Sequence, residues 1–215
     1  MKLHLYLIRH GETEWTLSRQ HTGRTDIPLT ANGEAEARKL SQCLRGIPFT
    51  HVLTSPLQRA RRTCKLAALK PTPEVVPDLA EWNYGDYEGQ RSEDILRTQP
   101  DWNIFRDGGP NGETPVQVSE RADHLIARLR KLQGNVALFT HGHFGRVLAV
   151  RWIGLPIAEG QHFELGTASL SILSYDPHHL EVPVIALWNA TSRVSLASET
   201  KQAVEQWENE GGSQR

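Results

Sequence analysis

The sequence predicts an α/β protein of three layers, α/β/α, with a mostly parallel central sheet and a loop/helix insertion over the active site. Three observations predict it. Apolar runs of strand length alternate with segments of helical periodicity, an order that favours parallel strands with helices on both faces. Two of the runs, Leu5–Ile8 and Val136–Phe139, end alike, on Arg9-His10-Gly11 and on Thr140-His141-Gly142. Between them, Pro71 to Gly112 is rich in Pro, Gly, Asp and Trp and is too long for an ordinary connection, which marks it as a lid or insertion.

Taken in order, the first strand runs through Leu5 to Ile8 and stops abruptly at Arg9. Thr30 is placed to cap a helix through Leu44 whose inner face is expected at Ala35, Leu40, Cys43 and Leu44. A short strand at Val52 and Leu53 leads into a second helix from about Pro56 to Leu69. Within the insertion only Ser92 to Thr98 reads as helix. Periodicity returns from Thr114 to Leu132 through Val118, Ala122, Leu125, Ile126 and Leu129. After the strand ending at Thr140, a helix reaches Gly154 as its terminator, and strands at Ser169–Tyr175 and Val182–Trp188 close the fold.

The chain of 215 residues is long enough for one large core. One domain is expected over 1–198, with the insertion at about 71–112 and a C-terminal tail at 199–215 whose ENEGGSQR ending reads as solvated. Lys and Arg number 24 against 25 Asp and Glu, a formal net charge of -1. That balance gives no footprint for nucleic acid, though it allows a local basic pocket for a small anion. The apolar run after Lys2 is too short for a signal peptide or membrane span, so a cytoplasmic location without a membrane partner is expected. Self-association is left open. Cys43 and Cys64 lack CxxC spacing, which points away from both a disulfide scaffold and a zinc site.

In an open α/β sheet ligands sit beyond the carboxyl ends of the strands, where Arg9 and His10 fall. An arginine fork suits phosphate oxygens, and a neutral imidazole beside it is a nucleophile, so the pair suggests phosphoryl transfer to His10. Arg59, early in the second helix, would strengthen an anion site, whereas Arg61 and Arg62 read as a solvated face. His141 could stabilise charge on a phosphoryl oxygen, and Gly142 permits close approach of the backbone. His143 raises a His-x-His metal pair, but no carboxylate or cysteine cluster accompanies it, so no metal or other cofactor is expected. A departing alkoxide needs a proton, for which Glu81, Asp86 and Glu88 compete; spacing does not separate them.

Together RHGETEW, TGRTDIPLT, SPLQRARRT, LAEWNYGDYEG and FTHGH resemble the ordered blocks of the histidine phosphatase superfamily, the phosphoglycerate mutase-like proteins. The resemblance implies a phosphoric monoester hydrolase in which His10 is phosphorylated, Arg9, Arg59 and His141 form the phosphate pocket, and Glu81 is the proton donor. By the same analogy Thr22 and Gly23 approach the substrate or its phosphate, and the Thr16 hydroxyl is placed to donate to phosphate; Tyr84, Arg106 and His143 are the candidate substrate-binding residues for a phosphorylated sugar. EWNYGDYEG, WNIFRDGGPNGET and HGH are most similar to the sedoheptulose 1,7-bisphosphatase branch. The glycolytic mutases differ in carrying Asn where Thr16 stands and a basic pair with no counterpart between Gln90 and Asn111. The implied activity is a metal-independent phosphatase; the alternatives are a phosphatase of another small phosphomonoester, a mutase, or a non-catalytic binding member. Arg106 is a candidate partner for a second phosphate, with Trp102 and Phe105 as a far wall; the competing reading pairs Arg106 with a nearby carboxylate.

Overall fold

The structure, a computed structural model, describes residues 2–191. The tail expected at 199–215, and the last residues of the expected domain, lie outside them. Six strands form one sheet: β1 (Leu3–Arg9), β2 (Phe49–Thr54), β3 (Glu74–Val75), β4 (Gly134–Thr140), β5 (Leu170–Tyr175) and β6 (Pro183–Ala190), in the order β3-β2-β4-β1-β5-β6. The first four in that order are parallel, and β5 and β6 join antiparallel at one edge. The mostly parallel, helix-flanked sheet expected from the sequence is therefore present.

Alternation along β1 sorts the core into two layers. Leu3, Leu5 and Leu7 pack with α6 (Pro115–Leu129), α7 (Gly142–Trp152) and the insertion, through Leu125, Val147 and Trp82. Tyr6 and Ile8 pack on the other face with α2 (Ala31–Cys43) and α3 (Gln58–Ala67), through Leu40, Leu44 and Cys64. The helices start where their capping chemistry directs. The Thr30 hydroxyl accepts from Gly33 N at 3.0 Å, and Thr114 and Gln117 form a reciprocal capping box ahead of Pro115. Gly154, at φ +79°, follows α7 as expected of its terminator.

Some expectations need correction. The buried stripe of α2 is Gly33, Ala37 and Leu40, continued by Leu44, whereas Ala35 is exposed and Cys43 half-buried. The reason is a close crossing of Gly33 beneath the loop after β1, which rotates that stripe toward the small residues. Three elements fall where loop was expected: α1 (Glu14–Leu17), β3 and, in the insertion beside the expected α4 (Ser92–Thr98), α5 (Ile104–Asp107). The unexpected ones span two to four residues, too short to display a period.

Candidate active site

The register of two neighbouring strands builds the floor of the site. Arg9 of β1 lies opposite Thr140 of β4, and His10 N donates to Thr140 O at 3.0 Å, so the residues that follow each strand, His10 and His141, come side by side. Their ring centroids are 5.2 Å apart and both rings are buried. The His10 Nδ1 lies 2.7 Å from its neighbour's carbonyl, Gly11 O, and as donor to it leaves Nε2 unprotonated. The His141 Nε2 lies 2.7 Å from Ser55 Oγ; with that hydroxyl donating, Nδ1 carries the hydrogen, and Nδ1 is buried without a partner. Burial is the largest cause lowering both imidazole pKa values well below the ordinary histidine value, and the Arg59 and Arg9 charges act in the same direction.

Two glycine crossings make this floor possible. A Cβ on Gly11 would run into the carbonyl of Gly33, and one on Gly33 would run into the carbonyl of Glu12. A Cβ on Gly142 would stand 3.2 Å from the Arg9 guanidinium carbon, so the bare backbone at the start of α7 lets Arg9 lie against it. Arg9 donates to Leu165 O through Nη1, and its Nε is buried and unpartnered. Arg59, fully buried, is oriented by three carbonyls: Thr25 O at 2.9 Å, Thr22 O at 2.8 Å and Gly23 O at 2.8 Å. Its Nε too has no partner. Three hydrogen-bond donors, Arg9 Nε, Arg59 Nε and His141 Nδ1, are thus buried and unsatisfied close to His10, a costly arrangement in a folded chain unless an anion completes it.

The insertion supplies the opposite wall. Glu81, 4% exposed, is held at the amino end of α7: Oε1 accepts from Trp82 N at 2.9 Å and Phe144 N at 2.8 Å, and Oε2 from His143 N at 3.1 Å. Its loop is clamped from α6. Arg121 donates to Asp78 O and Ala80 O, both at 2.8 Å, and pairs through two nitrogens with Glu113, whose Oε2 accepts from Asn83 N at 2.8 Å. The same guanidinium lies 4.2 Å over the Phe144 ring. Tyr84 OH is hydrogen-bonded to His143 Nδ1. His21 stacks 4.7 Å from the Tyr84 ring, its Nε2 3.1 Å from Ser92 Oγ, and burial pushes its pKa down to about 4.

These walls enclose a cavity of about 240 Å³ lined by Arg9, His10, Thr16, Thr22, Glu81, Tyr84 and His143 among the expected residues. A larger concavity, about 700 Å³ between α2, α3 and β3, contains none of the paired histidines or Glu81, so chemistry and not size selects the smaller one. Thr16 lines the cavity, but its hydroxyl is engaged in the capping box with Thr13, donating to Thr13 O at 2.8 Å. Gly23 serves beneath the cavity through its carbonyl on Arg59. Arg106 is not brought to the cavity: it is exposed and paired with Asp107 at 2.9 Å. Of the three competing carboxylates, Glu88 accepts from Arg24 N and Thr25 N at 2.6 and 2.8 Å, and Asp86 from Asn111 Nδ2 at 2.8 Å, so only Glu81 meets the cavity. Sequence reasoning did not reach His21, Arg19, Arg146, Ser55 or the Arg121–Glu113 clamp. Arg121 had left a trace, as an arginine one turn from Val118 and Leu125 on an otherwise apolar stripe. Among the described residues no group of three or more His, Cys, Asp or Glu side chains is arranged to hold a metal ion, and no helix is long and apolar enough to cross a membrane.

A nucleophilic imidazole between buried cationic donors, facing a carboxyl group across a cavity on an α/β sheet, defines a protein of phosphoryl-transfer chemistry. The chain belongs to the histidine phosphatase superfamily (branch 1), whose sequence profile matches residues 5–191. It is 40% identical over 187 residues to the acid phosphatase of Mycobacterium tuberculosis, covering 85% of this chain and 92% of the relative. To the sedoheptulose 1,7-bisphosphatase of Saccharomyces cerevisiae it is 37% identical over 184 residues, covering 70% of this chain and 68% of the relative. The solved structure of the open reading frame Rv3214 product from Mycobacterium tuberculosis superposes with a TM-score of 0.83 at 37% identity, over 89% of this chain and 99% of the other. The protein is accordingly a phosphatase of this family, a phosphoric monoester hydrolase.

Proposed function

We propose that the protein is a metal-independent sugar phosphatase that works through a phosphohistidine at His10, with sedoheptulose 1,7-bisphosphate as the substrate it fits best. The observation that carries the chemistry is the set of buried donors without partners, Arg9 Nε, Arg59 Nε and His141 Nδ1, on residues that surround His10: the His141 ring lies 5.2 Å from its ring, and the Arg59 and Arg9 charges both act on it. A phosphoryl group would satisfy all three, and their hydrogen bonds strengthen as charge spreads over its equatorial oxygens. The choice of sugar is supported by the yeast relative and by the EWNYGDYEG and HGH blocks.

In the first step the Nε2 lone pair of His10 attacks phosphorus in line, the bond from phosphorus to the sugar oxygen breaks, and the Glu81 carboxyl gives its proton to that oxygen. The three backbone N–H groups around Glu81 receive the carboxylate that results. Water then attacks the phosphohistidine, Glu81 takes its proton, and inorganic phosphate and neutral His10 are released. A second reading, a phosphatase of some other small phosphomonoester, is favoured by the identity to the mycobacterial acid phosphatase.

The test is phosphate release in the presence of a chelator from sedoheptulose 1,7-bisphosphate, fructose 1,6-bisphosphate, sugar monophosphates and 3-phosphoglycerate, with His10→Ala as control. Strong His10-dependent release from the seven-carbon bisphosphate is expected. Release confined to another ester would keep the phosphohistidine chemistry and discard the sugar; isomerised phosphate without release would replace the phosphatase by a mutase.

A further inference from the structure

The cavity holds more positive charge than one phosphoryl group calls for. Three arginines line it, Arg9, Arg19 and Arg146, against a single carboxylate, Glu81. Arg9 adjoins His10 and is committed to the group being transferred. Arg146 is fixed without any carboxylate partner: Nε donates to Gly160 O at 2.8 Å, Nη2 to Gln161 O at 3.0 Å, and the guanidinium lies 4.6 Å over the Phe105 ring.

Arg19 is the more unusual of the two. Its side chain is exposed at the mouth and, among the described residues, has neither hydrogen bond nor ion pair. Its backbone is left-handed, φ +61°, at the position just after α1 where glycine is favoured, with Gln20 N donating back to Trp15 O at 2.9 Å. An arginine there carries a steric cost that glycine avoids, and such cost tends to be kept where a side chain has work to do. The next residue fixes the position: Gln20 Nε2 donates to Gly89 O at 2.7 Å, and Gln20 bridges to Arg91 of the insertion. Arg19 is therefore a charge held at the cavity mouth on a firm backbone.

We propose that Arg19, with Arg146, forms a second anion subsite at the cavity mouth that binds the non-scissile phosphate of a bisphosphorylated sugar. The proposal rests on the sugar-phosphatase reading above and assigns to Arg19 the role considered from sequence for Arg106. A guanidinium fork matches a terminal phosphate, and a sugar whose first phosphate sits over His10 carries its far end outward to the mouth. Arg19 acts on affinity for the remote group, while the reacting atoms stay with His10 and Glu81.

The experiment is Arg19→Gly, which removes the guanidinium and relieves the left-handed backbone, compared with Arg19→Lys and wild type. Thermal unfolding of Arg19→Gly is expected at or above the wild-type temperature. Its kcat/KM for sedoheptulose or fructose bisphosphate is expected to fall at least about tenfold further than that for the matching sugar monophosphate, through KM, with Arg19→Lys between. Equal losses on both esters, or none, would overturn the subsite; so would an equally selective loss on 3-phosphoglycerate, which would reassign it to a carboxylate. Failure of the underlying reading is visible separately, in a wild-type enzyme that shows no preference for bisphosphates.

Discussion

β1 and β4 are adjacent, parallel and in register, and each is followed by a histidine and then a glycine, yet the two endings do different things. After β1 the chain leaves as a loop, and His10 ties Nδ1 to the carbonyl beside it, presenting Nε2. After β4 the chain turns at once into α7, and His141 ties Nε2 to Ser55, presenting Nδ1. One ring thereby offers a lone pair and the other a hydrogen. The lesson is that the strand fixes where an imidazole stands, while the single hydrogen bond at its back decides its chemistry.

That contrast can be broken most severely at His10. His10→Gln is expected to lower kcat by at least ~10⁴-fold, because the nucleophile itself is lost, and to abolish the acid-labile phosphoenzyme seen on rapid quenching. His141→Gln keeps the nucleophile and removes a donor to the transferring group; a loss of about 10²–10³-fold is expected, with the phosphoenzyme still trapped. If the second variant lost the phosphoenzyme as completely as the first, the division of labour between the strand ends would be wrong.

Acid sharpens the comparison next. Burial first, then Arg59 and Arg9, lower the pKa of His10, so the acidic limb of kcat/KM is expected below 6.5, and a limb at or above that value would mean a solvated ring. The same shifts bear on stability. Folded-state pKa values lowered below the unfolded value mean that the unfolded chain binds more protons as pH falls, so stability is complete above about 6.5 and is lost toward the folded values. For His21, whose window runs from 6.5 to about 4, the loss amounts to about 3 kcal/mol. Thermal unfolding followed from pH 7 to 4 should show this decline, and His21→Phe should reduce it. The smallest effect is expected at Ser55. Ser55→Ala frees the His141 tautomer and should cost about tenfold in kcat, with roughly 1 kcal/mol of stability, read by steady-state kinetics and denaturant unfolding.

Residues that sit at strand ends were the legible ones. Arg9 closes the first apolar strand and His10 and His141 stand directly after β1 and β4, so local pattern alone places them at the carboxyl ends of the strands. Glu81 was not legible in that way, because what separates it from Asp86 and Glu88 is long-range: Glu88 is taken up by Arg24 and Thr25, and Asp86 by Asn111. Resemblance, not spacing, singled it out. Arg106 shows the converse, a basic residue in the right segment whose charge is claimed by its own neighbour Asp107. Ser55, His21 and Arg146 reach the site through contacts spanning 14 to 86 residues, which no period in the chain announces.

The crossing of Gly11 and Gly33 has a consequence for how this protein can change. A Cβ at Gly11 would meet the Gly33 carbonyl and one at Gly33 the Glu12 carbonyl, both of them main chain, so neither position admits a side chain without a shift of the backbone opposite. The floor beneath His10 is therefore closed to drift and to laboratory selection alike. Arg19, standing where glycine would fit at least as well, is open to both, and new specificities should be sought by diversifying the rim while the floor is copied unchanged.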